Sequence, residues 1–174
     1  MHRQRMVSIR GLSLIELMVT LALLAFLVMV GLPLTSAWVQ SAHQRDAAGM
    51  LTEGLGRAKA LALRNPQGLT DQSLPVAVTC LSGRNLSVVA ADASGADCSQ
   101  SQQWGMQLPT DASIVQAPLL ASASTTAAAA VAMQCVAFNE RGIALSTSVG
   151  SLTCTSSSLN VLVGSQDAFN VQLP

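Results

Sequence analysis

One carboxylate stands where a carboxylate is costly. Glu16 lies inside an otherwise apolar run from Leu12 to Leu34, LSLIELMVTLALLAFLVMVGLPL. An acid at the centre of a bilayer costs about 2.5–3.5 kcal/mol, and less toward the edge. Glu16 follows Leu12 by four residues, which on a helix means the same face and about 6 Å along the axis. Cutting the chain between Gly11 and Leu12 would create a positive amine at the membrane edge, able to pair with Glu16 in its own chain or in a neighbour's. The plainer reading, an interfacial Glu tolerated by snorkelling and bilayer thinning, stays open on this residue alone.

The other reactive side chains are few. Cys80, Cys98, Cys135 and Cys154 all lie well downstream of the apolar run. An even number downstream of a membrane segment suggests disulfides in an oxidising compartment. Three pairings are possible; neighbour pairing, Cys80–Cys98 and Cys135–Cys154, is expected, each closing a loop of under twenty residues worth roughly 3 kcal/mol. A metal site is the rival, but no C-x-x-C occurs and neither His lies near a Cys. His43 sits beside Arg45 and Asp46 without a visible nucleophile or orienting partner, and reads as a surface residue. There is no phosphate-cradling Gly loop, H-E-x-x-H or G-x-S-x-G. No enzymatic activity, metal or cofactor is expected.

The elements that must position these groups begin with the apolar run, which is long enough to span a bilayer as a helix. Arg3, Arg5 and Arg10 precede it, and no charge follows until Arg45, so the N-terminus should stay cytoplasmic and the rest be exported. Formal net charge is zero, but beyond the first eleven positions six basic residues face nine acidic ones, a net of −3. A domain of that sign has no overall pull toward nucleic acid or anionic lipid. Pro33 should kink the helix, and Trp38 lies where interfacial anchors occur. The helix should run on to Arg64 and stop at Asn65-Pro66-Gln67-Gly68. Along it Ala47, Leu51, Leu55, Ala58 and Ala62 form one apolar stripe, while Glu53 and Arg57 form an i,i+4 pair on the other side. Gly49, Gly54 and Gly56 weaken this half intrinsically, so packing must hold it. After Gly68 the texture turns to short β-like runs: Pro75–Leu81, Leu86–Ala91, Gln103–Leu108, Val131–Phe138, Leu159–Val163 and Ala168–Leu173. Ala121–Ala130 is a low-complexity Ala/Ser/Thr tract.

The stretch Arg10-Gly11-Leu12-Ser13-Leu14-Ile15-Glu16-Leu17-Met18-Val19 resembles the class III signal of type IV pilins and type II secretion pseudopilins. The resemblance implies a leader of residues 1–11 removed by a prepilin peptidase after Gly11, N-methylation of Leu12, and docking of subunits guided by Glu16. Leu12 departs from the commoner Phe, which changes the methylated residue and not the logic. An ordinary secretory signal ending near Thr35-Ser36-Ala37 would leave Glu16 unexplained. Further along, Leu55–Asn65, Pro75–Cys80, Trp104-Gly105 and Phe138-Asn139-Glu140-Arg141-Gly142 are similar, in order, to segments of the FimT/FimU minor pilins and the pseudopilin GspH.

That resemblance implies an α+β fold: a long N-terminal helix, residues 12–65, packed on a small antiparallel β-sheet domain, residues 66–174, in the periplasm. It implies an inner-membrane subunit that joins other pilins or pseudopilins in a filament through an inner-membrane assembly platform. A minor pilin is expected and a GspH-like pseudopilin is the alternative; the cysteines tilt toward the pilus, since family pseudopilins less often carry disulfides. Some FimT-like pilins bind DNA through basic residues near the C-terminus, but Ser165 to Pro174 holds Asp167 and no Lys or Arg, so that role does not carry over. A patch of Arg57, Lys59 and Arg64 is the weak remnant of it. Trp104 reads as core rather than a ligand platform, and Glu140 and Arg141 as solvated turn residues beside a buried Phe138.

Overall fold

A single helix, α1, covers Leu14–Arg64. The computed structural model describes residues 13–117 and 131–173, the side chains of 32–34 apart. The leader, Leu12 and the Ala/Ser/Thr tract therefore lie outside the described residues. By contacts the chain falls into two units, Met1–Trp38 and Val39–Pro174. The second half of α1 thus belongs to the same unit as the strands.

In the first unit the helix is long and apolar enough to cross a membrane. Its side chains from Leu14 to Val30 are exposed. Helical assignment runs through Pro33 without a break. Just beyond it, the Thr35 hydroxyl donates to the Gly31 carbonyl at 3.0 Å, so one backbone acceptor near the proline gains a side-chain donor.

α1 ends as its sequence dictates. Asn65 takes the left-handed conformation at φ 39°, and its side chain both donates to the Leu69 carbonyl and accepts from the Leu69 N–H. Asn tolerates this cap geometry, and Pro66 cannot continue the helix.

Among the described residues ten short strands follow. A five-stranded antiparallel sheet has the order β3 (Gln102–Gln107), β2 (Asn85–Ala90), β1 (Ala77–Ser82), β5 (Cys135–Phe138), β6 (Ala144–Leu145). A three-stranded one runs β10 (Phe169–Val171), β9 (Leu159–Val163), β4 (Ala112–Gln116). The strands β7 (Ser148–Val149) and β8 (Leu152–Thr153) form a small hairpin. An α+β arrangement is thus present. All six expected strands appear: Leu159–Val163 with its expected bounds, the first three shifted by one or two residues, the run from Val131 only from Cys135, and the last only over Phe169–Val171. The two-residue strands β6, β7 and β8 were not expected. The strand β4 was not anticipated. Flanked by Pro109 and Pro118, it has only Ile114 and Val115 to mark it, and its ladder with β9 is long-range.

Strand periodicity sorts the core into two layers. On one face of the larger sheet, Leu86, Val88, Val136 and Phe138 pack with the α1 stripe of Ala47, Leu51, Leu55, Ala58 and Ala62, which is wholly buried. Ile114, Leu159, Val161 and Val171 of the smaller sheet close the same cluster. Val78, Cys80, Val89, Cys135 and Ala137 point the other way into a second, smaller cluster. The strands β1 and β5 are consequently covered on both faces. Leu55→Ala should remove about 2–5 kcal/mol of stability through lost burial and a residual cavity. Chemical denaturation of the full chain in micelles checks this; a loss under about 1 kcal/mol would mean the helix is not held by this stripe.

One glycine sets how closely helix and sheet approach. A methyl group on Gly54 would sit 3.1 Å from both Leu86 Cδ2 and Trp104 Cζ3. The Gly54 carbonyl also accepts a long 3.4 Å bond from the buried Thr79 hydroxyl. Its low helix propensity is the cost of that contact.

Candidate functional site

The assembly segment starts at Ser13. Its hydroxyl accepts the Glu16 N–H at 3.3 Å, so Ser13 caps α1 and Glu16 stands three residues on, in the first turn. Ser-x-x-Glu is the sequence signature of a capping box, and it stands at Ser13–Glu16 in the sequence itself. The position suits a carboxylate twice, since the helix N-terminus carries partial positive charge. Among the described residues the Glu16 carboxylate has no hydrogen bond or ion pair, and its side chain is exposed. Gly11 and Leu12 lie outside the described residues, so the pairing of Glu16 with a new amine is a matter for proposal.

The cysteines pair as Cys80–Cys98 and Cys135–Cys154, with Cα separations of 5.8 and 4.4 Å. Cys80 and Cys135 are opposite one another on β1 and β5, so both bridges lie in the smaller core layer. The first bridge ties β1 to the loop before β3, and the second ties β5 to the residue after β8. Two turns in the first loop are set by Asp side chains. Asp92 accepts from the Ser94 hydroxyl and N–H, and Asp97 from the Ser99 N–H. Asp71 does the same with Ser73. All three carboxyls are held below the ordinary range: Asp71 and Asp92 chiefly by the serine hydroxyl, Asp97 chiefly by the Ser99 N–H.

Polar side chains on the second half of α1 fix it to the strands. His43 Nδ1 meets both Asp111 carboxylate oxygens at 2.9 and 3.1 Å, so it is tied to the turn before β4 rather than free on the surface. No hydroxyl or thiol is hydrogen-bonded to His43 among the described residues. Gln44, which the sequence did not single out, is buried and donates to the carbonyls of Val161 and Asp167 at 3.0 and 2.6 Å. Glu53 and Arg57 form the expected pair, at 2.7 Å, and the guanidinium stacks 5.3 Å from the Trp104 ring centroid. Trp104 is half-buried, packed on the core from an edge strand.

The turn after Phe138 corrects one expectation. Phe138 is buried, and Asn139 organises the turn, its side-chain oxygen accepting the N–H groups of Arg141 and Ile143. Arg141 is solvated, but Glu140 is not: its side chain is 17% exposed, and Oε2 is buried with no partner among the described residues. The same turn packs on the end of α1. A Cβ on Gly142, at φ +70°, would meet Lys59 and Leu63. No cluster of three or more His, Cys, Asp or Glu residues suited to a metal is present among the described residues.

Compared with family models, with curated proteins and with solved structures, the chain matches none.

Proposed function

We propose that this chain is a minor pilin of a type IV pilus, a structural and assembly-initiating subunit rather than an enzyme. The observation that carries the reading is Glu16: an exposed carboxylate, without a partner among the described residues, in the first turn of a membrane-length apolar helix, four residues past Leu12 and five past Gly11. Prepilin peptidase cuts between Gly11 and Leu12, Leu12 is N-methylated, and the new cation neutralises Glu16 of its own or a neighbouring subunit. Before assembly the apolar half of α1 holds the subunit in the inner membrane, with the disulfide-bonded domain in the periplasm. Leaving the bilayer, the exposed apolar side chains bury against other pilin helices on the assembly platform. The same chemistry serves a type II secretion pseudopilus, and genomic neighbours distinguish the two machines.

Mass spectrometry of the protein purified from its own host tests the proposal. The expected N-terminus is a methylated Leu12. A chain beginning at Met1, or at a small-residue site near Trp38, overturns it.

A further inference from the structure

Three hollows meet at Gln103. One, of about 490 Å³, follows β3 along Gln102 to Gln107, with Asn85 and Leu86 of β2 also in its lining. A second, of about 300 Å³, lies between α1 and β3, lined by Arg57, Leu61, Arg64, Gln103 and Trp104. The third, of about 620 Å³, continues past Arg64 to Pro66 and Gln100. Together they trace one groove along an edge strand and onto the end of the helix.

Among the described residues nothing protects the edge itself. β3 ends the five-stranded sheet, and among the described residues Gln103–Gln107 make no backbone hydrogen bonds beyond the β2 ladder. Proteins usually blunt such an edge with Lys, Pro, shortness or a covering segment. The other edges here follow that rule. β6 is two residues long and β10 three. β4 is covered by residues 131–133, through Gln116 N–H to Val131 O and Met133 N–H to Ile114 O. By contrast β3 offers six residues, QQWGMQ, without charge or proline, and all but Trp104 are exposed.

The charge beside it selects the occupant. Arg57 is neutralised by Glu53 and held over Trp104, whereas Arg64 is exposed with no ion pair among the described residues. Asp92 keeps its negative charge on the far wall of the third hollow, tied into its own turn by Ser94, whereas the second hollow has Arg64 in its lining and no acid. A second copy of β3 carries no acid and would leave Arg64 unmatched. We infer that the free edge of β3 receives an extended, acidic peptide segment of a partner protein, added as a further strand, with Arg64 taking its carboxylate and Trp104 an apolar side chain. Main-chain bonds along the edge supply affinity, and the flanking side chains supply selectivity. The inference goes beyond the filament reading and stands without it.

A test uses the full oxidised chain in detergent micelles and a fluorescent eight-residue peptide of alternating Thr and Val ending in Asp. Binding is expected, with added hydrogen-exchange protection in β3. Replacing the peptide's Asp by Asn, or Arg64→Ala in the protein, should each weaken it about tenfold, the scale of a charge-assisted hydrogen bond. Methylating alternate peptide nitrogens, which spares the charge and removes the donors, should abolish it. Arg64 is exposed at the helix end, and the peptide changes leave the fold untouched. No binding, equal binding of the methylated peptide, or protection appearing elsewhere than β3 overturns the inference. So does sedimentation showing that a second copy occupies the edge.

Discussion

Glu16→Ala is expected to leave the chain cleaved and membrane-held but to cut its entry into filaments by about tenfold or more. In the proposed reading cleavage depends on Gly11 and the basic leader, and membrane retention on the apolar run, neither of which the substitution touches. What it removes is the partner for a cation in surroundings that solvate it poorly. Breaking one side of such a pair commonly costs about 3–5 kcal/mol, because the remaining charge is left uncompensated. The Ser13 cap offers a competing explanation, since Glu at this position also suits a helix N-terminus. Glu16→Gln separates the two. Glutamine serves a capping box as well as glutamate but carries no charge. If docking needs the charge, Gln and Ala are equally defective; if only the cap matters, Gln behaves like the wild type. Quantitative immunoblotting of sheared filaments against membrane fractions reads the result, and normal incorporation of both variants removes the docking role.

Replacing Cys135 and Cys154 together by Ala is expected to cost about 2–5 kcal/mol, a fall of roughly 10 °C in the melting temperature of the domain. Chain entropy alone predicts about 3 kcal/mol for either bridge, since their sequence separations, 18 and 19, are nearly equal. The folded state separates them. Cys135 and Cys154 are both buried, whereas Cys98 is only half-buried. The Cys135–Cys154 pair also sits beside the Thr155 N–H to Cys135 O bond at 3.0 Å, which fixes the residues after β8 against β5. The buried members of the layer around it are Val, Ala and Cys side chains, with Leu69, Leu145 and Leu152 packed on its rim, so the buried sulfurs are part of its packing. The loss for the Cys80–Cys98 pair should therefore be smaller, and removing both bridges should not be additive within one cluster. Circular dichroism during heating of the oxidised full chain measures each. A change below about 1 kcal/mol for Cys135/Cys154 would mean the layer closes without its bridge.

Both expectations rest on features that the chain announces locally. The apolar run, its basic flank and Glu16 need only composition and spacing to be read, because a bilayer imposes its length requirement on consecutive residues. The stop of α1 at Asn65-Pro66 and the stripe from Ala47 to Ala62 are local too: one follows from backbone sterics, the other from the 3.6-residue period. Neighbour pairing of the cysteines was favoured by short loops, and short loops are a property of sequence distance.

Tertiary structure decided the rest. That β4 exists at all depends on β9, about fifty residues away in the chain, since Ala112–Gln116 has weak strand preference of its own. The close approach of the Gly142 turn to Lys59 and Leu63, and the role of Gln44 at two distant carbonyls, are likewise set by contacts far apart in the chain. That β3 is an edge follows from strand order, which no residue of QQWGMQ encodes. Sequence alone determined what is set between near neighbours or by the surrounding solvent: the anchor, the helix and its end. Strand order, layer and partner are set by contacts between residues far apart in the chain, whose pairing local propensity cannot specify.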